Sequence, residues 1–224
     1  MNRIAIAIAL SAAAACGGHS VATDQNRAGS GTSTLLVTAD VTAQVTSSGP
    51  LTSFQVTVKD GLQQPVSGAT ITIHNDQLGD VPLVEANAIN NPGRYSNSKA
   101  AVGTSAFTLS VVRGADNVQG VVVGNPGAHT VNAPVANSTV PANQPLVLSW
   151  TTPTTAKSVS ISTRGFSAQA PDTGTYTIPA ADNAAQANQH LDLSRFNEVE
   201  IAGGLSGSRL RVTYTASVNP FTVQ

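Results

Sequence analysis

The sequence contains little cysteine, little charge and few aromatic side chains. Of its 224 residues one is cysteine, charged residues make up 10% and aromatic residues 4%. A single cysteine has no partner within the chain, which excludes a disulfide framework and a cysteine-based zinc site. The 11 Lys and Arg residues are scattered, and the net charge is −1. Because binding to phosphates needs a clustered basic surface, nucleic acid is excluded as a partner.

The sequence also lacks an apolar run long enough to cross a bilayer as a helix, which takes about 20 residues. The longest such run, residues 4–15, follows Arg3 and ends in small residues, with Gly17 close behind. A basic start, a short apolar stretch and small residues form the layout of an export signal. The sequence therefore predicts a signal peptide over residues 1–15.

The end of this signal carries a resemblance. The residues Ala13-Ala14-Ala15-Cys16 resemble the lipobox of bacterial lipoproteins, which implies that Cys16 is lipidated and becomes the first residue of the mature protein. Two or more acyl chains hold a protein stably on a bilayer, so the membrane is the expected partner. Gly17 in place of Asp resembles lipoproteins sent to the outer membrane, so the expected location is the bacterial cell envelope, either periplasmic or surface-exposed. The alternative is an ordinary signal peptide with Cys16 incidental.

Residues 16–34 are expected to form the lipidated cysteine and a flexible tether. The stretch is rich in Gly, Ser and Thr and has no apolar periodicity, which is typical of flexible linkers. As a coil it would span about 25 Å. His19, Asp24 and Arg27 lie in it, and solvation accounts for all three.

From Leu35 onward apolar and polar residues alternate, which is the pattern of half-buried strands. The alternation returns several times, separated by turn clusters such as Asp60-Gly61 and Asn91-Pro92-Gly93. Short strands at this spacing predict an all-β protein built of β-sandwiches. We expect two tandem Ig-like sandwiches, over residues 35–127 and 128–224, with the boundary in the Pro- and Gly-containing link at residues 124–134.

Each half carries a family resemblance. The run VKDGLQQPVSGATITI, residues 58–73, resembles carboxypeptidase-regulatory-like or transthyretin-like Ig domains, which implies an accessory module. In the second half, Leu146 to Trp150 followed by Pro153 resembles the second strand of fibronectin type III domains. Leu146, Leu148 and Trp150 share one face of a strand, so we expect the tryptophan in the core. The alternative is an exposed platform that stacks on sugar rings.

Four histidines offer few candidates for catalysis or metal binding. His19 falls in the tether and His129 in the link between the halves. His74 lies near Asp76 and Asp80, and His190 and Asp192 are two apart and would face the same side of a strand. A metal site needs three protein ligands around an open position, and neither group is expected to supply such a set, so no metal, cofactor or catalytic residue is assigned.

Four charges near the C-terminus alternate with apolar residues. Glu198 and Glu200 precede the loop-like sequence AGGLSG, and Arg209 and Arg211 follow it. This arrangement predicts a hairpin with a ladder of opposite charges across its two strands, each pair contributing about 0.2–1 kcal/mol.

These observations predict a non-enzymatic lipoprotein that acts as a binding, adhesion or spacer module. A first alternative is a carbohydrate- or peptidoglycan-binding accessory protein that uses loops at one end of a sandwich. A remote alternative is a hydrolase, which needs a histidine hydrogen-bonded to an acid and a hydroxyl in one pocket.

Overall fold

The computed structural model describes residues 27–87, 89–154 and 156–224. The predicted signal peptide, Cys16 and residues 17–26 of the predicted tether lie outside the described residues. Within these ranges the regular structure is strand apart from one short 3₁₀ turn at Ala180–Asp182, which confirms the all-β class. In the same ranges no helix is long and apolar enough to span a bilayer.

The first nine strands occupy the chain up to residue 123. They are β1 (Arg27–Ala28), β2 (Ser30–Gly31), β3 (Leu36–Thr46), β4 (Gly49–Lys59), β5 (Thr70–Asn75), β6 (Gly79–Asn87), β7 (Asn91–Lys99), β8 (Phe107–Arg113) and β9 (Asp116–Val123). Eight of them, all but β1, are hydrogen-bonded in the order β3-β4-β7-β6-β5-β8-β9-β2. β6 pairs with β5 as far as Leu83 and with β7 from Val84 onward. It therefore connects two packed sheets, which we call the N-terminal sandwich.

The remaining strands build a second sandwich, which we call the C-terminal sandwich. They are β10 (Val131–Ala133), β11 (Thr139–Val140), β12 (Leu146–Trp150), β13 (Ser158–Thr163), β14 (Ser167–Ala170), β15 (Thr175–Ile178), β16 (Gln186–Ile201) and β17 (Arg209–Val223). A three-stranded sheet β10-β12-β15 faces the sheet β14-β13-β16-β17, and β11 pairs with β17 in parallel. Alternate residues of these strands point inward and form one core.

β16 and β17 form a hairpin that contributes side chains to the cores of both sandwiches. They pair without a break from Leu191 to Glu200, and at about 3.3 Å per residue β16 alone is about 50 Å long. Leu191, Leu193, Val218, Phe221 and Val223 pack in the C-terminal core. Nearer the hairpin loop, Ile201, Leu210 and Val212 pack in the N-terminal core. The two cores are thus joined by the same pair of strands.

β17 also joins the sheet of the N-terminal sandwich directly. It runs parallel to β3, with register from Arg209 opposite Thr38 to Thr215 opposite Gln44. Parallel strands need a long crossover connection, which here is the whole chain between β3 and β17. Part of the sequence interval 128–224 therefore packs in the N-terminal sandwich.

The C-terminal part of the predicted tether is structured, so that prediction was wrong for residues 27–34. β1 pairs in parallel with β16, and β2 pairs with β9. The contact is close, because a Cβ added at Gly203 would lie 2.0 Å from the backbone nitrogen of Gly31. Gly and Ser side chains carry no apolar pattern, and here backbone hydrogen bonds fix the segment. The prediction of a tether over residues 17–26 lies outside the described residues.

Candidate functional site

The lipidation site, Cys16, lies outside the described residues, so the structure places none of its surroundings. His19 and Asp24 of the predicted tether also lie outside the described residues, and the candidate residues that the structure describes fall on the two sandwiches and on their junction.

His74 lies at the exposed end of β5 beside two carboxylates. Its Nδ1 is 2.7 Å from Asp80 Oδ1, and its Nε2 is 3.6 Å from Asp76 Oδ1. The hydrogen bond to Asp80 raises the pKa of His74 above its ordinary value. Both carboxylates are solvent-exposed. The three side chains therefore form a surface hydrogen bond at the end of a strand, outside any buried pocket.

His190 and Asp192 lie on β16 as the alternation predicts, but the carboxylate bonds elsewhere. Asp192 Oδ1 accepts a hydrogen bond of 2.6 Å from the Ser217 hydroxyl, directly across on β17. Over the described residues no group of three or more His, Cys, Asp or Glu side chains is placed to hold a metal ion. In the same residues neither His74 nor His190 is hydrogen-bonded through its ring to both an acid and a hydroxyl, the arrangement that a hydrolase would need.

The hairpin with alternating charges predicted near the C-terminus is present, but of its two facing pairs only Glu198 and Arg211 form an ion pair in the described residues. Glu198 lies opposite Arg211 and Glu200 opposite Arg209. Arg211 Nε is 2.8 Å from Glu198 Oε2, while Arg209 reaches across to Asp40 on β3 with Nη1 to Oδ1 at 2.8 Å. The side chains of these two ion pairs are a quarter to two fifths exposed, so the charges align β3, β16 and β17 and contribute modestly to stability.

Arg27 extends this ladder from the N-terminal side. Its Nη2 lies 3.3 Å from Glu200 Oε1, and the two residues are also paired in the register of β1 and β16. The predicted role of Arg27 as a solvated tether residue is therefore corrected, because it fastens the beginning of the described chain to the hairpin.

Trp150 lies in the C-terminal core, as its alternation with Leu146 and Leu148 predicts. It is 4% exposed and packs in the same cluster as the two leucines. Its indole Nε1 donates a hydrogen bond of 2.8 Å to Asp172 Oδ1. A buried ring offers no face to a sugar, so the structure does not support the platform alternative for this residue.

Asp172 and Arg195 form a buried ion pair at the junction of the sandwiches. Arg195 Nε and Nη2 donate to Asp172 Oδ2 at 2.9 and 2.6 Å. Nη1 donates to the Pro126 carbonyl at 2.7 Å, and Nη2 also donates to the Thr154 carbonyl. Both oxygens of Asp172 accept hydrogen bonds, one from Trp150 and one from Arg195. This carboxylate therefore links the two side chains and is not available as a base.

His129 is the second buried polar group at the junction. It is 7% exposed, its Nε2 lies 3.1 Å from the Leu193 carbonyl, and its ring packs edge-on against Tyr214 at 5.6 Å. Burial, and then the positive charge of Arg195, lower its pKa to about 4. Of the buried side-chain polar atoms in the described residues, only its Nδ1 lacks a hydrogen-bond partner. The ring is therefore neutral at pH 7 and holds the link against β16.

The sequence reasoning missed Arg195, although a signal for it was present. Leu191 and Leu193 point inward, and Arg195 occupies the next inward position of the same strand. A buried arginine must be paired and hydrogen-bonded, so its place in the alternation predicts a buried partner. The sequence does not show that Asp172 is this partner, since the two residues come from different elements.

The comparisons with known proteins found similarity among solved structures alone. No protein-family model matches the chain, and no curated protein matches it. Among solved structures, one described as "Structures of Clostridium thermocellum CbhA fibronectin(III)-like modules" is similar to it. That likeness has 12% identity and a TM-score of 0.33, over 85% of this chain and 94% of that chain.

Proposed function

We propose that the protein is an exported, lipid-anchored and non-enzymatic module, whose two sandwiches form one stiff stalk between the membrane and a partner. Cys16 is its anchor, and the N-terminal sandwich is the membrane-proximal part. The resemblance of residues 35–127 to carboxypeptidase-regulatory-like domains, which are accessory modules, accords with this role.

The observation that supports the proposal is the shared hairpin. β16 and β17 contribute inward side chains to both cores, and β17 is hydrogen-bonded to β3 of the N-terminal sandwich. Bending between the sandwiches would break this pairing or open one of the cores. Two domains joined only by a flexible linker would instead be expected to move relative to each other.

The link between the sandwiches is held at three points along β16. Asn197 donates to the Gly124 carbonyl at 3.0 Å, Arg195 to the Pro126 carbonyl at 2.7 Å, and His129 contacts the Leu193 carbonyl at 3.1 Å. The link therefore lies along the hairpin and adds to the stiffness of the stalk.

The stalk has two different ends. β1 enters beside Glu200 and Ile201, near the hairpin loop. The turn after β13 and the segment before β16 lie at the opposite end, since Thr163 pairs with Leu191 near the start of β16. A stalk anchored through its N-terminus presents these loops farthest from the membrane, where loops commonly carry binding residues.

Anchoring is tested by metabolic labelling with a palmitate analogue and by fractionation of cells. The wild-type chain should carry the label and sediment with membranes. Cys16→Ser should lose the label and leave the membrane fraction. A Cys16→Ser chain that stays on the membrane would contradict the proposed anchor.

Stiffness is tested by distances between spin labels in a Cys16→Ser background. One pair joins Ser206→Cys in the hairpin loop to Gly165→Cys in the turn after β13, and so crosses the junction. The control pair joins Ser206→Cys to Ser47→Cys within the N-terminal sandwich. The two distance distributions should be equally narrow. A broad distribution for the crossing pair alone would show a flexible junction and refute the stalk.

A further inference from the structure

Leu62 and Ile89 are the two most exposed large apolar side chains in the described residues. Leu62 is 81% exposed and Ile89 is 90% exposed. Single exposed apolar residues are common on proteins. These two are notable because both lie at the same end of the N-terminal sandwich.

Each of the two side chains is presented by a turn whose backbone is hydrogen-bonded to a side chain. Asp60 Oδ1 accepts from the backbone N–H groups of Leu62 and Gln64 at 2.8 and 2.9 Å. Asn87 Oδ1 accepts from the N–H groups of Ile89 and Asn90 at 3.0 and 3.1 Å. These bonds fix the backbone of the two turns.

The strand register places both turns beside the hairpin loop. Lys59 at the end of β4 pairs with Leu36 at the start of β3, and β7 next to β4 begins close to the pair of Arg94 with Thr57. The N–H of Leu205, in the hairpin loop, donates to the Leu35 carbonyl at 2.8 Å. We call the end formed by residues 60–64, 89–90 and 202–207 the tip end.

The chain leads into the N-terminal sandwich at the tip end. Arg27 pairs with Glu200 beside the hairpin loop and forms an ion pair with it. Residues 17–26 separate Arg27 from Cys16, and as a coil such a segment spans about 17 Å. A lipid on Cys16 would therefore hold the tip end close to the bilayer surface.

We propose that the tip end rests on the membrane and that Leu62 and Ile89 insert into its interface. This inference rests on the lipid anchor of the proposed function. The acyl chains hold the protein at the membrane surface. The two aliphatic side chains move from water into the upper acyl region of the bilayer, and this transfer orients the protein. The carboxylate of Asp60 already accepts two backbone hydrogen bonds, which lowers the cost of removing water from it near the interface. The stalk then stands away from the bilayer with the loops of the C-terminal sandwich outermost.

The test uses the mature lipidated protein, which begins at Cys16, in phosphatidylcholine vesicles that contain a brominated lipid, which quenches nearby tryptophan. Leu62→Trp and Ile89→Trp report on the tip end. Val147→Trp is the matched control, because Val147 is 56% exposed but lies on β12 of the C-terminal sandwich. The native Trp150 is buried and adds the same background to each variant. Emission from the two tip reporters should fall about twofold, as for an interfacial side chain, and emission from the control should stay nearly constant.

The outcomes separate the two proposals. If the protein does not float with the vesicles, the anchor fails and the tip contact fails with it. If it floats and the tip reporters are quenched no more than Val147→Trp, the anchor stands and the tip contact is overturned. A blue-shifted tip emission without quenching by the brominated lipid would show that a second copy or another protein covers the turns, and this also overturns the membrane contact.

Discussion

Arg195 and Asp172 form an ion pair in which both side chains are almost fully withdrawn from water. Arg195 Nη2 lies 2.6 Å from Asp172 Oδ2, and the side chains are 0% and 2% exposed. Desolvating two charges is costly, and the cost is offset only when geometry and additional hydrogen bonds are good. Trp150 and the carbonyls of Pro126 and Thr154 provide those bonds. The pair thus fixes the link, the core tryptophan and β16 in one arrangement.

Breaking this pair on one side should destabilise the protein more than replacing it altogether. Arg195→Met leaves a buried, unpaired Asp172 and should cost about 3–5 kcal/mol of unfolding free energy. Adding Asp172→Leu should recover a large part of that loss, measured by urea unfolding. The control Arg211→Met removes a partly exposed partner of the ladder and should cost about 1 kcal/mol or less. Additive losses in the double variant would contradict the coupling.

Trp150 should behave as a core residue in stability and in fluorescence. Trp150→Ala should cost about 3–5 kcal/mol, because burial is lost and a cavity remains. Trp150→Phe keeps most of the packing and removes the bond to Asp172, so it should cost less than Trp150→Ala. Since Trp150 is the single tryptophan of the chain, native emission should be blue-shifted and poorly quenched by acrylamide. A red-shifted, easily quenched emission would show an exposed ring.

His129 should make the protein less stable in mild acid. Its pKa is about 4 in the folded state, against about 6.5 when unfolded. Between these values the unfolded chain binds a proton that the folded chain does not, so stability is full above pH 6.5 and falls as pH drops towards 4. The loss is at most about 3 kcal/mol. The charged groups that act on the ring are Arg195, which lowers its pKa, and Asp172, which raises it.

The measurement is urea unfolding at a series of pH values between 4 and 7. His129→Gln should flatten the profile in this range. His74→Gln is a control of opposite sign, because the pKa of His74 is raised and its contribution is present at low pH and lost as pH rises. An unchanged profile for His129→Gln would contradict the role assigned to its burial.

The N-terminal sandwich should not fold from its own stretch of sequence. Residues 27–127 lack Ile201, Leu210 and Val212 of the core and the β17 partner of β3. Expressed alone, this fragment should show weak β-type circular dichroism and no cooperative melting. Joining residues 199–212 to it by a flexible linker restores those core residues and should restore a cooperative transition. A fragment 27–127 that melts cooperatively by itself would show that the hairpin is dispensable.

Strands β1 and β2 should detach from the sandwich when Gly203 of the hairpin loop is given a side chain. A methyl group there would lie 2.0 Å from the Gly31 nitrogen, so Gly203→Ala should displace residues 27–34 at a cost of about 1–3 kcal/mol. Hydrogen exchange of those residues should become faster. The control Gly165→Ala meets open space and should leave their exchange unchanged. Equal protection in both variants would contradict the docking.

Local patterns in the sequence were enough to predict several features of this protein. Alternation of apolar and polar residues predicted strands and the β-sandwich class, because the side chains of a strand point to alternate faces. The same alternation placed Trp150 in a core. The spacing of two glutamates and two arginines around a short loop predicted a hairpin with facing charges, and Glu198 does face Arg211, since a hairpin brings residues on either side of its loop opposite each other.

The tertiary structure decided what depends on residues distant in the chain. The parallel pairing of β17 with β3, the division of one hairpin between two cores and the docking of residues 27–34 leave no local pattern, because backbone hydrogen bonds between strands are nearly independent of side-chain identity. The hydrogen-bond partners of Arg195 likewise depend on tertiary structure, because Asp172 and the link reach β16 only in the folded chain. The sequence by itself determined which faces are apolar, and the fold decided which of those faces meet, because a strand can bury its apolar side against any sheet of matching shape.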